Sequence, residues 1–281
     1  MKQHGETHIK VYIADLQLHG VLLFATEQRP SLAEEGGAII TTGHYIHNYP
    51  LIYGIAGVNV ESYAVIPSLH FTFYESEKMQ ALKPRIARTP LRYGFVEEQI
   101  EGLLEGRDSI YVFPAYPIKV SIKKFFMQAK GTGYAEFRGR LKTVYPRLVH
   151  YVAIVPPSEF RSIVLTSNVE MPRELYMRIG MKRMGLFKVY LREAEISGRI
   201  EDLAWSSVPV NIYDVSLFGY SPIEIIKVME TRSKPPSKPS TSVIGYIRAR
   251  GLFLVEPTKK KLRREEYRVP LPLKLFGDKH V

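Results

Sequence analysis

The stretch Lys119–Arg147, KVSIKKFFMQAKGTGYAEFRGRLKTVYPR, governs how the rest of the chain is read. It carries Lys119, Lys123, Lys124, Lys130, Arg138, Arg140, Lys142 and Arg147 against a single acid, Glu136. Two β-prone runs flank Lys130-Gly131-Thr132-Gly133, where glycine supplies the positive φ of a tight hairpin loop. Phe125, Phe126, Tyr134 and Phe137 are interleaved with the cations. Cations that neutralise phosphates, beside rings that stack on bases, are what single-stranded nucleic acid requires. The plainer alternative is an amphipathic hairpin whose lysines keep a sheet edge soluble. The one-sided charge favours nucleic acid.

Composition points the same way. The chain has 281 residues, and Lys plus Arg exceed Asp plus Glu by 39 − 28 = 11. Such an excess suits a polyanionic partner and says nothing about fold. The length allows one large domain with a substantial apolar interior. The chain contains no cysteine, which excludes disulfides, thiolate catalysis and cysteine-ligated zinc. Met1–His8 has no apolar core of the kind a secretory signal needs, and no apolar run reaches the length of a membrane span. A cytoplasmic protein without membrane contact is expected.

Working outward, 8–26 reads as one or two strands, and Ile110–Val120 as strand leading into the basic run. His47–Ile55 reads as a short helix, with Asn48 able to cap it and Pro50 tolerated in the first turn. Ser62–Glu75 is strand-like, and Lys78–Arg92, with Pro84 and Pro90, is a loop. Leu148–Thr166 reads as two strands broken at Pro156-Pro157. Met171–Met184 has helical or turn character, and Leu186–Ala194 returns to strand. Ile223–Glu230 is a short helix or a strand. The Pro/Ser run Thr231–Ser242 has no apolar anchor and reads as a flexible loop. Val243–Val255 resumes as strand, and Lys259–Arg268 is a second basic cluster. Strands dominate, so the class is α+β. Residues 1–230 are expected to form a core with the hairpin inserted at about 119–147, followed by the 231–242 loop and a 243–281 C-terminal strand and basic tail.

No Walker-type phosphate loop, HExxH or nucleophile elbow occurs. His44 and His47 lie three apart but have no evident third ligand, so no metal and no cofactor is expected. Metal-independent RNA cleavage would need a base and a donor at the scissile phosphate; His44, His47, His70 and His150 are available, and His44, His47 or His150 would be the residue used. Met171–Lys188 is a further basic element, in which Arg173, Arg178, Lys182, Arg183 and Lys188 face Glu174. As a helix it would place Arg178 and Lys182 on one face and Met177, Met181 and Met184 on another. Gly180 and Gly185 would let a backbone approach closely.

Two of these segments, in this order, carry a family resemblance. His47-Asn48-Tyr49-Pro50-Leu51-Ile52-Tyr53-Gly54 resembles the HNYxLxY segment near the start of one group of CRISPR proteins. The stretch from Met171 to Met181, MPRELYMRIGM, resembles that group's later segment, a proline followed by an aromatic and then Arg-Leu-Gly or similar. The group is the Cas-five-like RAMP subunit of type I-D CRISPR effector (Cascade-like) complexes. The resemblance implies a modified RRM with a ferredoxin-like βαββαβ core and an extruded basic β-hairpin. It also implies a non-catalytic subunit that binds the 5′ handle of crRNA, caps the foot of the complex and meets its large and backbone subunits, with target DNA as a further candidate. A metal-independent endoribonuclease acting on precursor crRNA is one alternative, and a basic structural nucleic-acid-binding protein is another. The expected RNA contacts are Lys123, Lys124, Lys130, Arg138, Arg140 and Arg147 on the hairpin. Arg173, Arg178, Lys182 and Arg183 are expected from the later segment, and His47, Asn48 and Tyr49 from the first.

Overall fold

A computed structural model describes residues 9–23, 29–32, 38–41, 43–58, 94–129, 147–180, 183–227, 244–258 and 265–276. The expected strand at 62–75, the loops at 78–92 and 231–242, and the basic run 259–264 lie outside the described residues.

The centre of the main sheet is β1 (Ile9–Leu18), antiparallel to β6 (Arg147–Ser167) on one edge and to β8 (Gly185–Ile200) on the other. Val11, Tyr12, Ile13 and Ala14 are buried in succession, the pattern of a strand covered on both faces. β6 organises the neighbourhood because it is long enough to serve several partners. β4 (Ser109–Val112) and β5 (Tyr116–Ala129) are antiparallel to it, and β3 (Ala38–Thr41) is parallel to it. β2 (Arg29–Leu32) closes that end against β3. β7 (Glu174–Ile179) pairs with β8. In a second, four-stranded sheet, β12 (Ile244–Ala249) joins β9 (Ala204–Trp205), β10 (Val210–Asn211) and β11 (Glu224–Lys227). The chain then returns to the main sheet through β13 (Leu252–Pro257), which pairs with β8 and with β14 (Tyr267–Val269).

Among the described residues there are three α-helices, α1 (Asn48–Ala56), α2 (Gly94–Glu105) and α3 (Ile212–Leu217). Val96, Ile100 and Leu103 give α2 its apolar side and are all buried. The rings of Tyr111, Phe113 and Phe218 meet edge-on at 5.1–6.4 Å and join α3 to the main core.

Two expectations change. First, the segment 171–184, expected to be helix or turn, contains the strand β7. Leu175, Met177 and Ile179 alternate with exposed Glu174, Tyr176 and Arg178, a period of two. Second, Leu148–Thr166 is one strand, running through Pro156-Pro157. The prolines sit where the β5 ladder shifts register, so no ladder hydrogen bond is forfeited. Ser158 Oγ takes the Ser121 N–H at 2.9 Å, and Ser121 Oγ donates to the Pro157 carbonyl at 3.0 Å. The expected turn at Lys130-Gly131-Thr132-Gly133 lies outside the described residues. Ala129 lies opposite Arg147, so the partner of the first basic arm is β6 itself, and 130–146 lies outside the described residues.

Candidate nucleic-acid interface

The basic arm β5 projects Lys119, Lys123 and Lys124 into solvent, together with Ile118 and Ile122. Lys123 and Phe125 share a face at a spacing of two, with Lys123 Nζ 5.7 Å from the ring centroid. Lys130, Arg138 and Arg140 lie outside the described residues, and Arg147 is placed only as the first residue of β6.

The HNY segment has a different setting. His47, rather than Asn48, is the N-cap of α1: its Nδ1 accepts the Tyr49 N–H at 3.2 Å. Burial lowers the His47 pKa to about 4, which keeps the imidazole neutral and able to accept. Asn48 is fully buried. Its Nδ2 donates to Asp214 Oδ2 at 2.6 Å, and its Oδ1 accepts from Asn211 at 3.4 Å. Tyr111 donates to the same Asp214 oxygen at 2.9 Å, and Tyr49 donates to Oδ1 at 3.4 Å. Desolvation raises the Asp214 carboxyl to about 6, and the three donors only partly offset it. The cluster ties α1 to β4, β10 and α3. Nothing local in 212–217 marks Asp214 as its hub.

The later basic segment lies on the outer side of β7 and β8. Arg173, Arg178 and Arg183 are exposed, and Lys182 is outside the described residues. Arg178 Nη1 donates to the Arg183 carbonyl at 3.5 Å. Lys188 Nζ stands 3.0 Å from Glu174 and 5.6 and 4.8 Å from the ring centroids of Tyr176 and Tyr190. Hydrogen bonds to Tyr190 and Glu174 hold its ammonium above the ordinary lysine value. Next to this, Arg161 and Arg192 both bind Asp15, at 2.6 and 3.1 Å, and Arg192 also binds Glu265 at 3.1 Å. Those two arginines serve a network that joins β1, β6 and β8. Among the described residues, Arg173 and Arg178 have no acidic partner.

The two resembling segments therefore sit in one fold, with α1 packed on β7: a Cβ at Gly54 would lie 2.9 Å from Met177 Sδ. The model of the type I-D CRISPR-associated protein Cas5/Csc1 family matches residues 9–234, which include both segments and the whole of β5. The chain belongs to the type I-D CRISPR-associated Cas5/Csc1 family. Membership makes it a subunit of a type I-D CRISPR effector. No curated protein matches the chain. In this family member, no helix among the described residues is long and apolar enough to cross a membrane. No cluster of His, Asp or Glu among them could hold a metal ion.

Proposed function

We propose that the protein is a non-catalytic subunit that binds the 5′ handle of crRNA and caps the foot of the type I-D effector, against its large and backbone subunits. The observation that carries this is the row of exposed cations on β5, Lys119, Lys123 and Lys124, on a chain of this family. Lys123 and Lys124 lie opposite Ala153 and Val152, so no acid faces them across the β5–β6 ladder, whereas Lys119 lies opposite Glu159; cations left unmatched in this way suit phosphate. A modified ferredoxin-like core is consistent with the strand order β4-β6-β1-β8, all antiparallel, with α1 and α2 between β1 and β4 in the chain. The second helix of a βαββαβ unit would fall between β6 and β8, and β7 takes that place. The core, the 231–242 loop and the C-terminal segment remain our proposed division of the chain.

Non-catalytic action is supported by the use made of His47. Its Nδ1 is committed to the α1 cap, and a pKa of about 4 leaves it poorly matched to general acid–base work near neutrality. The test is to express the protein with its crRNA and to incubate the purified protein with labelled precursor RNA in EDTA. Co-elution with an RNA of uniform 5′ end and no cleavage is the expected result. Specific cleavage that disappears in His47→Ala would establish the endoribonuclease alternative instead.

A further inference from the structure

We infer that the outer face of β7 at Tyr176 is a stacking site for one base of single-stranded RNA, with Arg178 and Arg173 taking the adjoining phosphates. The class of polymer rests on the proposed function; the site rests on the following geometry. Met177 and Ile179 are buried, so strand alternation turns Tyr176 and Arg178 outward together. Tyr176 is 61% exposed and is the one aromatic among the exposed large apolar side chains of the described residues. An aromatic ring left open on a sheet face is what base stacking uses, because every base offers a π-face.

The ring is also held in place. Lys188 lies directly opposite Tyr176 in the β7–β8 register, and Tyr190 lies opposite Glu174. The ammonium of Lys188, gripped by Glu174 and Tyr190, stands over the Tyr176 ring at 5.6 Å from its centroid, and the residue still remains largely exposed for a base on its open side. A platform fixed before binding loses little side-chain freedom on binding. Glu174 neutralises Lys188, so the phosphate contacts fall to the arginines, which have no acidic partner among the described residues. Arg178 is two residues along the same face, about 7 Å from Tyr176, within reach of the phosphate that follows a stacked base. The guanidinium fork suits that phosphate better than an ammonium would.

The probe is an oligo(A) RNA of about 15 nucleotides, carrying 2-aminopurine in place of some adenines, added to the purified full chain. The parent protein should bind it and quench the 2-aminopurine. Tyr176→Ala should weaken binding about fivefold or more and reduce the quench, with the salt slope unchanged because no phosphate contact is lost. Tyr176→Phe should keep both affinity and quench. Because Tyr176 is exposed, the alanine variant should unfold at the parent's temperature, which separates loss of stacking from loss of fold. If the parent binds and Tyr176→Ala binds within about twofold with the same quench, the site is wrong and the proposed function stands. If the parent does not bind at low salt, both fall. If Tyr176→Ala leaves RNA binding intact but blocks assembly with partner subunits, the face docks protein and the inference is overturned.

Discussion

Asn48 Nδ2 donates to Asp214 Oδ2 at 2.6 Å across a sequence separation of 166 residues. The bond makes the HNY segment a fastener between α1 and the second sheet's neighbourhood. It also draws a carboxylate into the core, where ionisation is costly. Burial raises the Asp214 pKa to about 6 from an ordinary 3.8.

A group whose folded pKa lies above its unfolded one contributes stability that is fully present below the unfolded pKa. That contribution is lost as pH rises through the folded value. For Asp214 the window runs from 3.8 to about 6. At 1.36 kcal/mol per pKa unit, its contribution should fall by about 3 kcal/mol across that window. Denaturant unfolding of the parent and of Asp214→Asn at pH 4 and pH 7 measures this. The difference between the two proteins should move in favour of the variant by about that amount on going to pH 7. A pH-independent difference would show that Asp214 keeps an ordinary pKa.

His47 behaves in the opposite sense. Its folded pKa is depressed to about 4, so the cap's contribution is present above the unfolded value of 6.5 and is lost as pH falls toward 4. His47→Ala should cost about 1 kcal/mol at pH 7, the usual loss for a helix cap. His47→Asn should retain most of the stability and abolish this pH dependence, since an amide oxygen accepts at any pH. Chemical denaturation of the three proteins at pH 5 and pH 7.5 is the measurement.

Gly180 has φ +80°, and a Cβ there would stand 2.6 Å from the Leu23 carbonyl oxygen. Gly180→Ala should therefore cost about 2 kcal/mol or more, from the left-handed backbone together with the clash. A thermal unfolding temperature equal to the parent's would show that the turn after β7 can move away from Leu23.

Lys123 and Lys124 should each hold one phosphate. Lys123→Ala with Lys124→Ala should weaken RNA binding and flatten the logarithmic salt slope by about 0.7 for each lost contact, about 1.4 together. Fluorescence anisotropy over a salt series measures the slope. An unchanged slope would leave the β5 lysines as a device that keeps an exposed strand soluble.

Much of this protein is written locally. The β-branched runs that become β1, β5, β6 and β8 form strands because such side chains suit a pleated, packed surface. The HNY helix ends at Gly57 with φ 69°, a residue able to take the left-handed cap. The close approach expected at Gly180 and Gly185 is present, with backbone oxygens 2.6 and 2.8 Å from where a Cβ would be. The spacing of Val96, Ile100 and Leu103 is the visible signal for α2. Segment 171–184 could not be settled from its own residues, because the methionine spacing fits a helix and ELYMRI fits a strand. The ladder with β8 decided it, since a strand draws its hydrogen bonds from a neighbour the local sequence does not contain. The same physics separates the cations. Nothing in chain order says which of Arg161, Arg173, Arg178 and Arg192 meets an acid in the fold. Only the folded sheet brings Asp15 and Glu265 to Arg161 and Arg192, satisfying those two and leaving Arg173 and Arg178 to solvent. The sequence determined which segments could be strands and how large the excess of positive charge is. Tertiary structure decided which positive charges are matched by acids, because pairing depends on distances across the sheet that chain order does not encode.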